Sequence, residues 1–393
     1  MRRVGSVLCI IVLFGCSRMP ATSSLPATGQ PASSSATFKT LYVFKQTHNG
    51  IIPVGALLGL NGTLYGATNF GGSANKECNP NPGCGTVYEL SASGDYTVLY
   101  RFKGASTGAR PYAGLISVGS ALYGTTQIGG KHKKGAVFAI TTAGSESVVH
   151  SFSGKDGNDP RAGLTSVNGA LYGTTYYGGS TETGTVFTIT ASGAEEVLHS
   201  FTGGTDGSMP LAGLTYANNV LYGTTSSGGA NNDGTVFEIG PDGSNYTVLY
   251  SFQGGADGAY PFGGITVMNG TLYGTTQQGG SHNKGTVFAI TTTSGSEGVL
   301  YNFGSGKDGS EPFAGLTALK GQLYGTTAFG GSKNLGTLYT ITPSGSETVV
   351  HSFTGGSGGE VPDAGLTAIG GAIYGNTMWS AGRTGGTIFE YTP

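Results

Sequence analysis

The sequence predicts an all-β fold, a seven-bladed β-propeller of four-stranded blades whose ring is closed by an N-terminal strand completing the last blade. Three observations lead there. The segment "LYGTTSSGG" from Leu221 recurs as "LYGATNFGG" from Leu64, "LYGTTQIGG" from Leu122, "LYGTTYYGG" from Leu171, "LYGTTQQGG" from Leu272, "LYGTTAFGG" from Leu323 and, more loosely, "IYGNTMWSAG" from Ile373. Its tyrosines fall at 65, 123, 172, 222, 273, 324 and 374, a period of 49 to 51 residues after a longer first interval, and such a period marks a solenoid, propeller or array. Within one unit, Ala212 to Phe252, the runs "AGLTYA", "VLYGTT", "GTVFEI" and "YTVLYSF" are separated by Asn-Asn, a Gly-Gly loop and Pro-Asp-Gly. Four β-prone runs divided by turn residues, with no helical period, make a four-stranded meander. Finally, "TLYVF" at residues 40–44 matches a fourth strand and "GGTIFEY" at 385–391 matches a third. Joining these ends supplies the one missing strand and removes both orphan edges.

The N-terminus, "MRRVGSVLCIIVLFGCSRMP", has two arginines, an apolar run from Val4 to Phe14, and then Gly15-Cys16. The run is short for a membrane span and has the layout of an export signal. "LFGC" resembles the bacterial lipobox, which implies cleavage before Cys16 and lipid attachment there; Phe14 departs from the small or β-branched residue usual at its place, and an ordinary secretory signal is the alternative. The expected divisions are a signal over 1–16, a disordered tether over 17–38 and the propeller over 39–393. The tether is rich in Ser, Ala, Pro and Thr without apolar period. As a flexible coil it spans roughly 25 Å, enough to hold a domain clear of a membrane.

With 393 residues, a net charge of −2, 10% charged residues and 74 glycines, the chain still carries enough Tyr, Phe, Val, Ile and Leu for a core. Its near-neutral charge gives no long-range attraction to nucleic acid or to an acidic membrane. Neither is expected as a partner, and contact with a membrane is expected only through the lipid. The propeller is expected to be monomeric. Two of the four cysteines, Cys9 and Cys16, belong to the signal; Cys78 and Cys84 lie in "KECNPNPGCGT". Export to an oxidising compartment predicts a local disulfide between them. Two thiols without a nearby histidine fall short of a zinc site.

The blades follow in order. Each first strand opens with small residues: Gly55-Ala56, Ala113-Gly114, Ala162-Gly163, Ala212-Gly213, Gly263-Gly264, Ala314-Gly315 and Ala364-Gly365. Seven strands converging on one axis require them. The Tyr-Gly of each second strand sets an aromatic beside a glycine, as close packing of blades demands. The pattern "LYGTT..GG....GTVF" resembles the GloVer tandem repeat of bacterial exported proteins, over about residues 40–393, and "CGTV" from Cys84 resembles a variant of it. The resemblance implies an exported β repeat protein and carries no catalytic residues. More distantly, the Gly-Gly after strand two resembles kelch propeller blades.

No enzyme is expected. The threonine pairs, Thr125-Thr126 through Thr326-Thr327, repeat in near-identical copies, whereas a nucleophile needs its own base and oxyanion site. The Gly-Gly loops lack the lysine and helix of a phosphate loop. Asp156, Asp206, Asp257 and Asp308 each precede a glycine and suit a capped turn. Calcium there is the rival reading, but it wants six to eight oxygens. No cofactor is expected. His150, His199 and His351 occupy the strand-four place held elsewhere by Tyr100, Tyr250 and Tyr301, and so read as packing residues.

Alternating strand direction puts the loops before strand one and between strands two and three on one face, where the blades vary most. Variable loops on a rigid scaffold are where binding resides. The residues before each Gly-Gly include Phe70, Tyr176, Tyr177, Phe329 and Trp379, with Asn231, Asp233 and His282 nearby. Aromatic faces beside polar groups suit a carbohydrate; the alternative is that these rings pack against the next blade. The expected role is a non-enzymatic surface binding or adhesion module for glycans. The alternatives are a structural or protein-docking propeller of the envelope, with an envelope protein as partner, and, behind both, a carbohydrate-active enzyme.

Overall fold

The computed structural model describes residues 35–393, apart from 46, 74–77, 79–81, 191, 293–294, 305, 381 and 383–384. Cys16 and the signal lie outside the described residues. The described residues form seven antiparallel sheets in a ring, six of them built from consecutive strands and the seventh from the last three strands and the N-terminal one. Blade four shows the pattern: Thr215–Ala217 innermost, then Val220–Thr225, Thr235–Ile239 and Thr247–Ser251. Gly223 of its second strand pairs with Phe237 of its third. A Cβ on Gly223 would stand 2.4 Å from the Phe237 ring, so each Tyr-Gly leaves room for the aromatic ring of the neighbouring strand.

Except in blade one, where it runs Ile51–Leu60, the first strand is shorter than the six-residue "AGLTYA" run predicts. In blade four pairing covers Thr215–Ala217 alone. The Ala-Gly-Leu before it runs along the axis, where the first strands face one another. A Cβ on Gly263 would come within 2.3 Å of the Gly315 nitrogen of the next blade. Threonines of neighbouring blades take up carbonyls of this segment. Thr224 Oγ1 donates to Gly263 O at 3.1 Å and Thr275 Oγ1 to Ala314 O at 2.8 Å. Thr165 donates likewise to Leu214 O, and Thr367 to Leu57 O across the closure. The second threonine works within its blade where another threonine stands opposite, as Thr225 Oγ1 does with Thr235 Oγ1 at 2.8 Å, whereas Thr126 faces Ala136 and its hydroxyl has no hydrogen-bond partner. The bonded threonines are fasteners within and between blades.

The ring closes through Thr37–Val43, which pairs antiparallel with Thr387–Thr392. The strand starts ahead of the predicted 40–44 run, so Thr37 and Phe38 belong to blade seven. Phe44, buried to 1% exposure, meets Tyr88 edge to face at 5.5 Å. The same contact recurs at the other junctions, for example Phe102 with Phe138 at 5.1 Å and Phe252 with Phe288 at 5.1 Å. Each such pair adds about 1 kcal/mol beyond the area it buries.

Candidate functional site

The strands place the long loops on one face. The loop before strand one bridges to the loop after strand two at Asn158 with Tyr177, Ser310 with Phe329 and Glu360 with Trp379. In six of the blades the residue between the proline and the small pair of the first strand then faces the central channel, while its counterpart in blade one, Val54, is buried with Ile51 and Ile52. At the channel the sevenfold repeat breaks: Tyr112, Arg161, Leu211, Phe262, Phe313 and Asp363 line a cavity of about 400 Å³ floored by the Ala and Gly residues of the axis. That size suits a small ligand.

The mouth has two chemistries. Phe262 and Phe313 lie 5.8 Å apart between ring centroids, beside Leu211. The rest is polar. Asp159 grips Arg161 at Nε (3.0 Å) and Nη2 (2.7 Å), and the guanidinium lies 4.1 Å over the Tyr176 ring. Asp363 is half-buried, and loss of hydration pushes its carboxyl up to about 7. At neutral pH it can both donate and accept a hydrogen bond. Tyr112, 39% exposed, is the one large apolar side chain that stands exposed among the described residues. Although its ring is open to solvent, the crowded mouth and then the Asp363 charge push its hydroxyl above the usual tyrosine range.

None of the residues proposed from the sequence to bind a ligand lines this cavity. Phe70 and Trp379 are half-buried against Ile51, Ile52 and Val54. Tyr176 and Tyr177 pack edge to face at 4.5 Å, with Tyr176 supporting Arg161. Phe329 is half-buried. Asn231 is exposed, its Nδ2 reaching Phe252 O at 3.5 Å, while Asp233 is half-buried and His282 exposed. Cys78 and Cys84 are joined as a disulfide and fully buried. The sequence did hold a signal for the mouth. In Pro-X-Ala-Gly-Leu and its variants only X changes freely, but reading the Gly-Gly loops alone passes over it.

The Asp-Gly loops behave as capped turns. Ser153 N donates to Asp156 Oδ1 at 2.7 Å, Thr202 N to Asp206 Oδ2 at 2.9 Å and Gln253 N to Asp257 Oδ2 at 3.0 Å. Each aspartate also meets the strand-four aromatic. His150 lies 2.8 Å and His199 3.2 Å from its aspartate, and the Tyr250 and Tyr301 hydroxyls donate to Asp257 and Asp308. His150 and His199 therefore carry polar contacts besides packing, whereas His351 packs on Phe38 and its Nε2 has no hydrogen-bond partner. Across the junction the strand-four side chain faces the start of the next outer strand, as a stack in His199 with Tyr246 at 3.8 Å and beside a glutamate in Tyr250 with Glu297. Hydrogen bonds from His150 and Ser153 outweigh burial to hold Asp156 down at about 2. Glu195, Glu297 and Glu347 are each pushed up to about 7, by burial first and then by the neighbouring aspartate. No helix among the described residues is long and apolar enough to cross a membrane.

Solved structures share the fold at low identity. An oligogalacturonate lyase in complex with manganese matches at a TM-score of 0.56 and 11% identity, over 93% of this chain and 95% of that one. A structure of the mitotic checkpoint complex matches at 0.57 and 14%, over 95% and 98%. An extracellular domain from B. thetaiotaomicron matches at 0.55 and 14%, over 91% of this chain and 42% of that one. No curated protein sequence is similar enough to match. The Gloeobacter/Verrucomicrobia repeat model matches residues 30–229 and 166–389, which takes in nearly every blade just described, and the chain belongs to that repeat family.

Proposed function

We propose that this propeller is a non-enzymatic binding module of the cell exterior, held to the envelope by a lipid on Cys16, that takes a sugar unit into the mouth of its central channel. The observation that carries this reading is the break in symmetry at the mouth, where Phe262 and Phe313 adjoin Leu211 on one arc and Asp363, Tyr112 and Arg161 supply the polar groups. A pyranose presents C–H groups to the aromatic arc while its hydroxyls meet groups that donate and accept. Glycoside hydrolysis by the common route needs two carboxyl groups flanking the bond. Asp363 is the one carboxylate lining this cavity among the described residues, which favours binding over cleavage.

Retention of the purified protein on immobilised polysaccharides tests the reading, with a Phe262→Ala, Phe313→Ala variant in parallel. Retention by the wild type, lost in a variant of unchanged melting temperature, supports it. Equal retention by both moves the site away from the mouth. Retention of neither rejects a sugar ligand and leaves an envelope protein as the partner to seek.

A further inference from the structure

We propose a divalent transition-metal site, with Zn²⁺ as its occupant, at the junction of blades two and three, held by His150, Asp156 and Glu195. The three side chains come from three places: His150 from the outer strand of blade two, Asp156 from the loop that follows it, and Glu195 from the first position of the outer strand of blade three. One ligand atom from each lies within 4.8 Å of the other two, and all three residues are half-buried. His150 Nε2 and Asp156 Oδ2 are 2.8 Å apart. Ligands of a tetrahedral zinc stand about 3.4 Å from one another, given metal–ligand bonds of 2.0–2.2 Å, so small side-chain movements complete the set. Asp156 keeps Oδ1 for Ser153, which fixes the carboxylate with Oδ2 toward the cluster. Glu195 Oε1 is buried with no hydrogen-bond partner.

The repeat supplies internal comparisons. The junctions after Tyr250 and Tyr301 keep the aspartate and the glutamate but put a phenol where His150 stands. The junction after His199 keeps histidine and Asp206 but sets Tyr246 where Glu195 stands. At the junction after His351 the partner across the seam is Phe38. Among the described residues, imidazole and two carboxylates meet at His150 alone. One nitrogen and two oxygens suit zinc, whereas calcium and magnesium take oxygen ligands and would gain little from the imidazole. An ion here is bound by both blades and ties them together, leaving a fourth position for water.

The test is isothermal titration of metal-stripped, tag-free protein with Zn²⁺, and separately with Ca²⁺ and Mg²⁺, in the wild type and in His150→Tyr. Tyrosine fills this place at other junctions, so the variant is expected to fold with the melting temperature of the stripped wild type. The expected result is one Zn²⁺ per chain, a higher melting temperature with zinc, no comparable binding of Ca²⁺ or Mg²⁺, and Zn²⁺ affinity at least about 100-fold weaker in the variant, since even outer-shell changes cost 10–100-fold. A wild type that binds no zinc, or a variant that binds it equally well through other histidines, overturns the proposal. Should the variant fail to fold, Glu195→Gln replaces it, with the same expected loss.

Discussion

The phenyl ring of Phe38 lies flat on the imidazole of His351, with centroids 3.5 Å apart and planes 3° from parallel. Phe38 is in the N-terminal strand and His351 in the outer strand of blade six, so this stack and the pairing of Thr37–Val43 with Thr387–Thr392 fasten the two ends of the chain. Removing residues 1–44 should leave the edge of Thr387–Thr392 open, and calorimetry with size-exclusion chromatography should show a lower melting temperature together with self-association. Phe38→Ala, at a half-buried site, should cost about 2 kcal/mol, below the range for fully buried phenylalanines. A truncated chain that melts as the whole one does would mean that the closure contributes little.

The threonine fasteners make a second expectation. Thr224 is buried to 1% exposure and donates to Gly263 O of the next blade. Thr224→Val keeps the shape and strands that carbonyl, which should cost about 1–2 kcal/mol in urea unfolding. Any binding activity should survive in the variant, because the hydroxyl holds blades together and touches no ligand.

Glu297 and Glu347 set a third. Each carboxyl sits at about 7 in the fold against an ordinary 4.5. Between those values the folded chain holds protons that the unfolded chain has released. Their contribution is thus fully present below about pH 4.5 and lost as the pH rises through 7. His199 and His351, both lowered by burial, act in the opposite sense over part of this range. The comparison between variant and wild type separates the two. The Glu297→Gln, Glu347→Gln protein should match the wild type in melting temperature near pH 4 and exceed it at pH 8. A difference that does not change with pH would remove this role for the two carboxyls.

The repeat made most of the fold legible: the tyrosine spacing gave the blades, and the leftover strands at the two ends gave the closure. The Asp-Gly turns were legible too, because an aspartate before glycine has few backbone donors within reach other than those of its own loop. The short first strands were not. Only the crowding at the axis, seen in the approach of Gly263 to Gly315, explains why Ala-Gly-Leu leaves the sheet. Contacts between blades were hidden as well, since the pairing of His150 with Glu195 or of His199 with Tyr246 depends on which outer strands lie side by side. The mouth was missed for a related reason. Tyr176 and Trp379 stand out in the sequence as aromatics in variable loops, whereas Arg161, Phe313 and Asp363 are single changes within a nearly constant segment and gain meaning only when the ring gathers them.

The most direct measurement is the affinity of the retained sugar for the wild type, for Phe313→Ala at the mouth and for Phe329→Ala in the same blade away from it, each by isothermal titration. Binding weakened at least tenfold by Phe313→Ala and unchanged by Phe329→Ala, a loss of about 1.4 kcal/mol or more confined to the channel, is the expected result. Binding that falls with Phe329→Ala and persists with Phe313→Ala, or a wild type that binds no sugar, would contradict a ligand site in the central channel.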